Sequence, residues 1–132
     1  MRLVVTLLAL ALSACTGDTA TSPGGPVDRR FVLAPGEVAI VPEAGINLRF
    51  DRVAGDSRCP GDAVCVQAGD AIVRIIVQSP GEAAATYELH TGDMTPARHR
   101  DLSIALETLT PYPFSSRLIA PGDYRAALRI TR

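Results

Sequence analysis

"AIVRIIVQ", residues 71–78, is apolar on both of its alternating faces apart from Arg74 and the closing Gln78. A strand with one face in water alternates apolar with polar, whereas a strand covered on both sides reads as a nearly continuous apolar run. This segment is therefore expected to be a central strand. Gly69-Asp70 precedes it and Pro80-Gly81-Glu82 follows, so both of its ends carry turn residues.

The same punctuation recurs along the chain. Pro-Gly-acid occurs four times, at Pro35-Gly36-Glu37, Pro60-Gly61-Asp62, Pro80-Gly81-Glu82 and Pro121-Gly122-Asp123. Proline fixes φ for the second position of a turn and glycine accepts the positive φ of the third, which predicts type II turns. Between these marks the apolar residues recur with period two, as in Ile46, Leu48 and Phe50, or Ala85, Tyr87 and Leu89. Leu102, Ile104 and Leu106 follow the same rule, and so do Tyr124, Ala126, Leu128 and Ile130. Val38 and Ile40 mark a shorter strand, with another at Phe31 to Leu33. No window shows a helical period. The expectation is an all-β domain of about 6–8 strands in a small antiparallel sandwich, with a small β-barrel as the alternative. The ending "APGDYRAALRIT", residues 120–131, resembles the last strand of immunoglobulin-like extracellular domains, a likeness of fold that carries no function.

The chain has 132 residues, room for one domain, and lacks tryptophan, so its core must rest on Val, Ile, Leu and Ala. All 13 basic residues are arginine and the net charge is −1. A nucleic-acid partner, which favours a basic face, is not expected.

The first residues, "MRLVVTLLALALSAC", join a basic start to an apolar run too short to cross a bilayer, the pattern of a secretory leader. Leu12-Ser13-Ala14-Cys15 resembles the lipobox of bacterial lipoprotein precursors. The resemblance implies removal of residues 1–14, lipidation of Cys15 and a membrane anchor; ordinary cleavage after Ser13 is the alternative. Thr16, in place of an aspartate, implies sorting to the outer membrane of a Gram-negative envelope. Residues 15–30, rich in Gly, Pro and small polar residues, read as anchor and flexible tether, leaving residues 31–132 as the folded domain. With Cys15 lipidated, Cys59 and Cys65 remain as a disulfide pair in an oxidising compartment. Such a bridge closes a loop of seven residues and contributes roughly 2–2.5 kcal/mol in the chain-entropy model.

"DSRCPGDAVCVQAG", residues 56–69, carries that pair. Its Asp56-Ser57-Arg58-Cys59-Pro60 and Cys65-Val66-Gln67-Ala68-Gly69 resemble a D-S-R-C-P…C-(V/I)-W-A-G segment of uncharacterised bacterial envelope proteins and lipoproteins, with Gln67 in place of Trp. The resemblance implies no catalytic residue. Asp56, Asp62 and Asp70, with Asp51 nearby, are the weak candidates for calcium. Cys59, Cys65, His90, His99 and Met94 could serve a soft metal, with both histidines expected on the surface. Arg58 could be offered to a partner from a stiffened loop. "LTPYPFSSR", residues 109–117, sets Tyr112 and Phe114 between prolines, either shown to a partner or folded back on the core.

No nucleophile elbow, metal-ligand spacing or phosphate loop occurs in the sequence, so neither catalytic residues nor a cofactor is expected. The expected function is a non-catalytic binding, assembly or structural domain anchored to the envelope, meeting a protein or glycan partner through loops at one end of the sandwich. A metal-binding periplasmic domain is the alternative, and a hydrolase stands behind it.

Overall fold

The computed structural model describes residues 25–132. The leader, Cys15 and the first part of the tether lie outside the described residues.

The alternating segments form eight strands: β1 (Asp28–Leu33), β2 (Val38–Val41), β3 (Ile46–Asp56), β4 (Ala71–Gln78), β5 (Ala85–His90), β6 (Ala97–His99), β7 (Leu102–Thr110) and β8 (Arg125–Thr131). They pair antiparallel in two four-stranded sheets, ordered β1-β8-β7-β6 and β2-β3-β4-β5. β4 lies between β3 and β5, as its two apolar faces require. Ala71, Val73, Ile75 and Val77 point into the core, while Ile72, Arg74 and Ile76 form the half-exposed outer face. The sheets pack through Leu48, Phe50 and Ile75 on one side and Ile104, Leu128 and Ile130 on the other, all fully buried. The sheet edges are not hydrogen-bonded to each other, so this is a sandwich and not a barrel. Strand order runs sequentially around the two sheets. The two packed layers therefore lack the Greek-key crossings of immunoglobulin domains.

Three details differ from the sequence reading. The folded domain begins before residue 31: Val27 is buried and Asp28 opens β1. Asp28, Arg29 and Arg30, read as tether, decorate an edge strand and pair with Arg129, Glu43 and Glu107. In β2 the buried residues are Ala39 and Val41, while Val38 and Ile40 face out, because period two fixes alternation and not its sense. Of the four Pro-Gly-acid turns, only those at Gly36 and Gly81 have positive φ (88° and 73°), each closed by a bond from the following glutamate N–H to the residue before the proline. Pro121–Asp123 is a 3₁₀ turn and Gly61 also avoids the left-handed region, so proline's φ sets these two turns without a left-handed third residue.

The strand directions define two poles. β1 begins opposite the end of β8, with Asp28 facing Thr131, and Arg132 N–H donates to the Val27 carbonyl. Also at this pole, His99 is buried and not in a solvated turn. Its ring nitrogens meet the Ser79 hydroxyl (3.0 Å) and the Tyr87 hydroxyl (2.9 Å), tying β6 of one sheet to β5 and to the residue that follows β4 in the other. β3, β7 and β8 reach the opposite pole at Asp56, Thr110 and Arg125, which is where the cysteine loop emerges.

Candidate functional site: the disulfide pole

The cysteine loop is built from its neck outward. β3 is irregular twice, between Phe50 and Arg52 and between Val53 and Gly55, and such bulges bend a strand and re-aim its side chains. At the neck, Ser57 N–H donates to the Asp70 carbonyl (2.7 Å), and the Ser57 hydroxyl donates to that oxygen and accepts from Asp70 N–H. The crossing is so close that a Cβ on Gly69 would stand 1.5 Å from the Ser57 carbonyl oxygen, which only glycine allows. Cys59 and Cys65 are bridged, with their Cα atoms 5.9 Å apart.

Asp56 and Arg58 form the base. The Arg58 Nε and Nη2 atoms donate to the two Asp56 carboxylate oxygens at 2.8 and 2.7 Å, a bidentate pair, and the Tyr124 hydroxyl adds a third bond at 3.0 Å. Arg58 also donates from Nη1 to the Leu109 carbonyl and from Nη2 to the Pro111 carbonyl, and lies 5.4 Å from the Tyr112 ring centroid. Its side chain is only 6 % exposed. Arg58 is therefore not available to a partner: two carbonyls, a carboxylate and an aromatic face consume it. Burial pushes the Asp56 carboxyl up, but the bonds from the Arg58 side chain and backbone and from Tyr124 outweigh it and hold its pKa below the usual carboxylate range. The bond to Asp56 raises the Arg58 pKa against the effect of burial.

These contacts join two loops that the sequence presents separately. Gly61 N–H donates to the Pro113 carbonyl, and Asp62 accepts from Ser115 N–H at 2.8 Å. That bond holds the Asp62 pKa below its usual value. Gly61 packs on the rings of Phe114 and Tyr112, where an added Cβ would come within 3.3 Å of Phe114. Tyr112 and Phe114 are neither folded into the core nor free: each keeps about half its surface in water while its ring braces the cysteine loop. Val64, Val66 and Leu118 beside them are fully exposed.

The carboxylates suggested for calcium are not brought together. Asp56 serves Arg58, Asp62 caps Ser115, and Asp51 faces arginines on the outer face of β3. Asp70 meets His90 Nδ1 at 2.5 Å and accepts from the Thr91 hydroxyl and Gly92 N–H. The soft-metal set is dispersed as well, with Cys59 and Cys65 bonded to each other, His90 on Asp70 and His99 at the other pole. The bond to Asp70 raises the His90 pKa against burial. For Asp70, burial acts upward but the bonds from His90, Gly92 and Thr91 prevail and lower it.

The sequence contained a partial signal for the base of this site. Asp56 and Arg58 are two apart, a spacing at which an aspartate can hold the backbone N–H two residues on, and the Arg58 N–H does donate to Asp56 at 3.2 Å. The contacts of Arg58 with Leu109 and Pro111 span more than fifty residues and leave no local trace. The chain matches no protein-family model, no curated protein and no solved structure.

Proposed function

We propose that the chain is an envelope lipoprotein, anchored through Cys15, whose β-sandwich is a non-catalytic binding or assembly module working through its disulfide pole. The observation that carries this reading is the distribution of exposed apolar side chains. Among the described residues nine large apolar side chains are exposed, and five of them (Val64, Val66, Tyr112, Phe114 and Leu118) stand on the two interlocked loops. Exposed apolar side chains gathered on adjoining loops are the usual mark of an interaction site, and aromatic anchors supply much of the energy at such sites. The bridge, the Arg58 contacts and the Gly61 packing hold these side chains in place before a partner arrives, which lowers the ordering cost of binding. The domain is entered from the opposite pole, at Val27, about one strand length away, or roughly 20 Å at 3.3 Å per residue. A tether joined there leaves the loops directed away from the anchor.

Photo-reactive side chains at Val64 and Leu118, activated in intact cells, test this. A discrete adduct that disappears in the Tyr112→Ala/Phe114→Ala variant, with a probe at Met94 as control, is the expected result. An adduct unchanged by that double substitution would refute the contact surface. Intact mass tests the anchor separately: a chain that keeps Met1 and carries no acyl group would refute it and leave the contact surface standing.

A further inference from the structure

The outer face of the β2-β3-β4-β5 sheet carries an imbalance of charge. Arg49, Arg52 and Arg74 all converge on one carboxylate, Asp51, at 3.5, 3.0 and 3.6 Å. The bulge between Phe50 and Arg52 produces this arrangement by setting Asp51 beside Arg52, and Arg52 directly opposite Arg74. Like charges facing each other across a ladder are unfavourable. Arg74 Nε is shut off from solvent and has no hydrogen-bond partner, its approach to Asp51 being too long for a bond. Elsewhere among the described residues six arginines form ion pairs, each with one carboxylate of its own. Only at Asp51 do three share one, so that even with Glu88 on the neighbouring strand this face keeps a positive charge in excess. Glu88, which lies opposite Arg74 on β5, makes no ion pair with it.

We propose that Arg49, Arg52 and Arg74 form a binding site for a phosphate group, a phosphomonoester or diphosphate. Phosphate oxygens accept the paired N–H donors of guanidinium groups in a fork geometry, and the partly exposed side chains of Arg49, Arg52 and Arg74 present such donors to solvent on one sheet face. Asp51 spaces the guanidinium groups and competes with the ligand. The site lies on a sheet face, apart from the loops of the disulfide pole, and does not depend on the function proposed for them. The phosphate can be free or carried on a lipid headgroup.

The full-length chain in detergent is titrated calorimetrically with inorganic pyrophosphate at low salt. In parallel it is titrated with phosphatidic acid, whose headgroup is a phosphomonoester, and with phosphatidylcholine as the control, each carried in micelles of the same detergent. Saturable binding is expected in at least one arm, weakened by about ten-fold or more in Arg52→Gln/Arg74→Gln and by added salt. Binding only to the phosphatidic acid micelles assigns the phosphate to lipid, and binding of pyrophosphate assigns it to a free ligand. Asp51→Asn is expected to tighten binding, because it removes the competing charge. Arg52→Lys/Arg74→Lys, which keeps the charge and loses the fork, should fall between the parent and the Gln variant. No binding in either arm, or binding unaffected in a folded Arg52→Gln/Arg74→Gln variant, would overturn the site. So would weaker binding by a folded Asp51→Asn variant.

Discussion

Replacing Arg58 with methionine tests the base of the disulfide pole most directly. The substitution keeps an unbranched stem and removes the guanidinium, and with it four side-chain hydrogen bonds: two to Asp56, one to the Leu109 carbonyl and one to the Pro111 carbonyl. Asp56, only 11 % exposed, is left with the Tyr124 hydroxyl and a backbone N–H. Removing one partner of a buried ion pair costs about 3–5 kcal/mol. At 4–8 °C per kcal/mol for a domain of this size, the lower figure is a fall in Tm of roughly 12–24 °C. Thermal unfolding followed by far-UV circular dichroism measures it. Asp56→Asn added to Arg58→Met should recover part of the loss, because it removes the stranded charge. The pH dependence supplies a second sign. The Asp56 pKa is depressed in the folded parent, so its stabilisation is complete above an unfolded value of about 4 and is lost as pH falls through the folded pKa. In the variant the side-chain bonds of Arg58 are gone and burial is opposed only by the Tyr124 hydroxyl and the backbone N–H, so the Asp56 pKa should rise from its parent value and the loss of stability on acidification should shrink. An Arg58→Met protein within about 1 kcal/mol of the parent, with an unchanged acid limb, would refute the buried pair as the fastening of this pole.

Other substitutions separate crowding from propensity and probe the remaining polar contacts. Gly69→Ala should prevent native closure of the loop neck, since its Cβ would overlap the Ser57 carbonyl, whereas Gly122→Ala, with open space around it, should shift stability by no more than about 1 kcal/mol; thermal unfolding of the two proteins decides. Ser79→Ala strands a ring nitrogen of buried His99 and should cost about 1–3 kcal/mol, with a coupling to Tyr87→Phe measurable by a double-mutant cycle. His90 should titrate above an ordinary histidine by NMR, and Asp70→Asn should return it toward about 6.5. Its pKa is raised in the folded state, so the stabilisation from this pair is fully present below the unfolded value and is lost as pH rises through the folded one.

Strand positions were readable because each depends on neighbours a few residues away. Ala71–Gln78 announces itself as an interior strand by composition alone, and Tyr124–Ile130 places Ala126, Leu128 and Ile130 in the core as its alternation requires. The sense of β2 was not readable, because Val38, Ala39, Ile40 and Val41 are all apolar and only the ladder with β3 decides which pair is inside. The two loops of the candidate site could each be singled out from Cys59, Cys65, Tyr112 and Phe114. Their union could not, since Arg58–Leu109 and Asp62–Ser115 are contacts between distant segments. His99, set among Arg98 and Arg100, reads as solvated because its partners Ser79 and Tyr87 belong to the other sheet. The crowding of arginines at Asp51 depends on one bulge, a feature without a sequence signature.

Of the six ladders, five join strands that follow one another in the chain, and β1 with β8 is the exception. The first strand to be synthesised therefore waits for the last. While a nascent chain emerges, each hairpin can zip as soon as its second strand is out, but Val27 and Leu33 stay uncovered until residues 125–131 arrive. Closure of the domain is thus a terminal event, and a chain halted short of β8 holds an open sheet edge where a foreign strand can add.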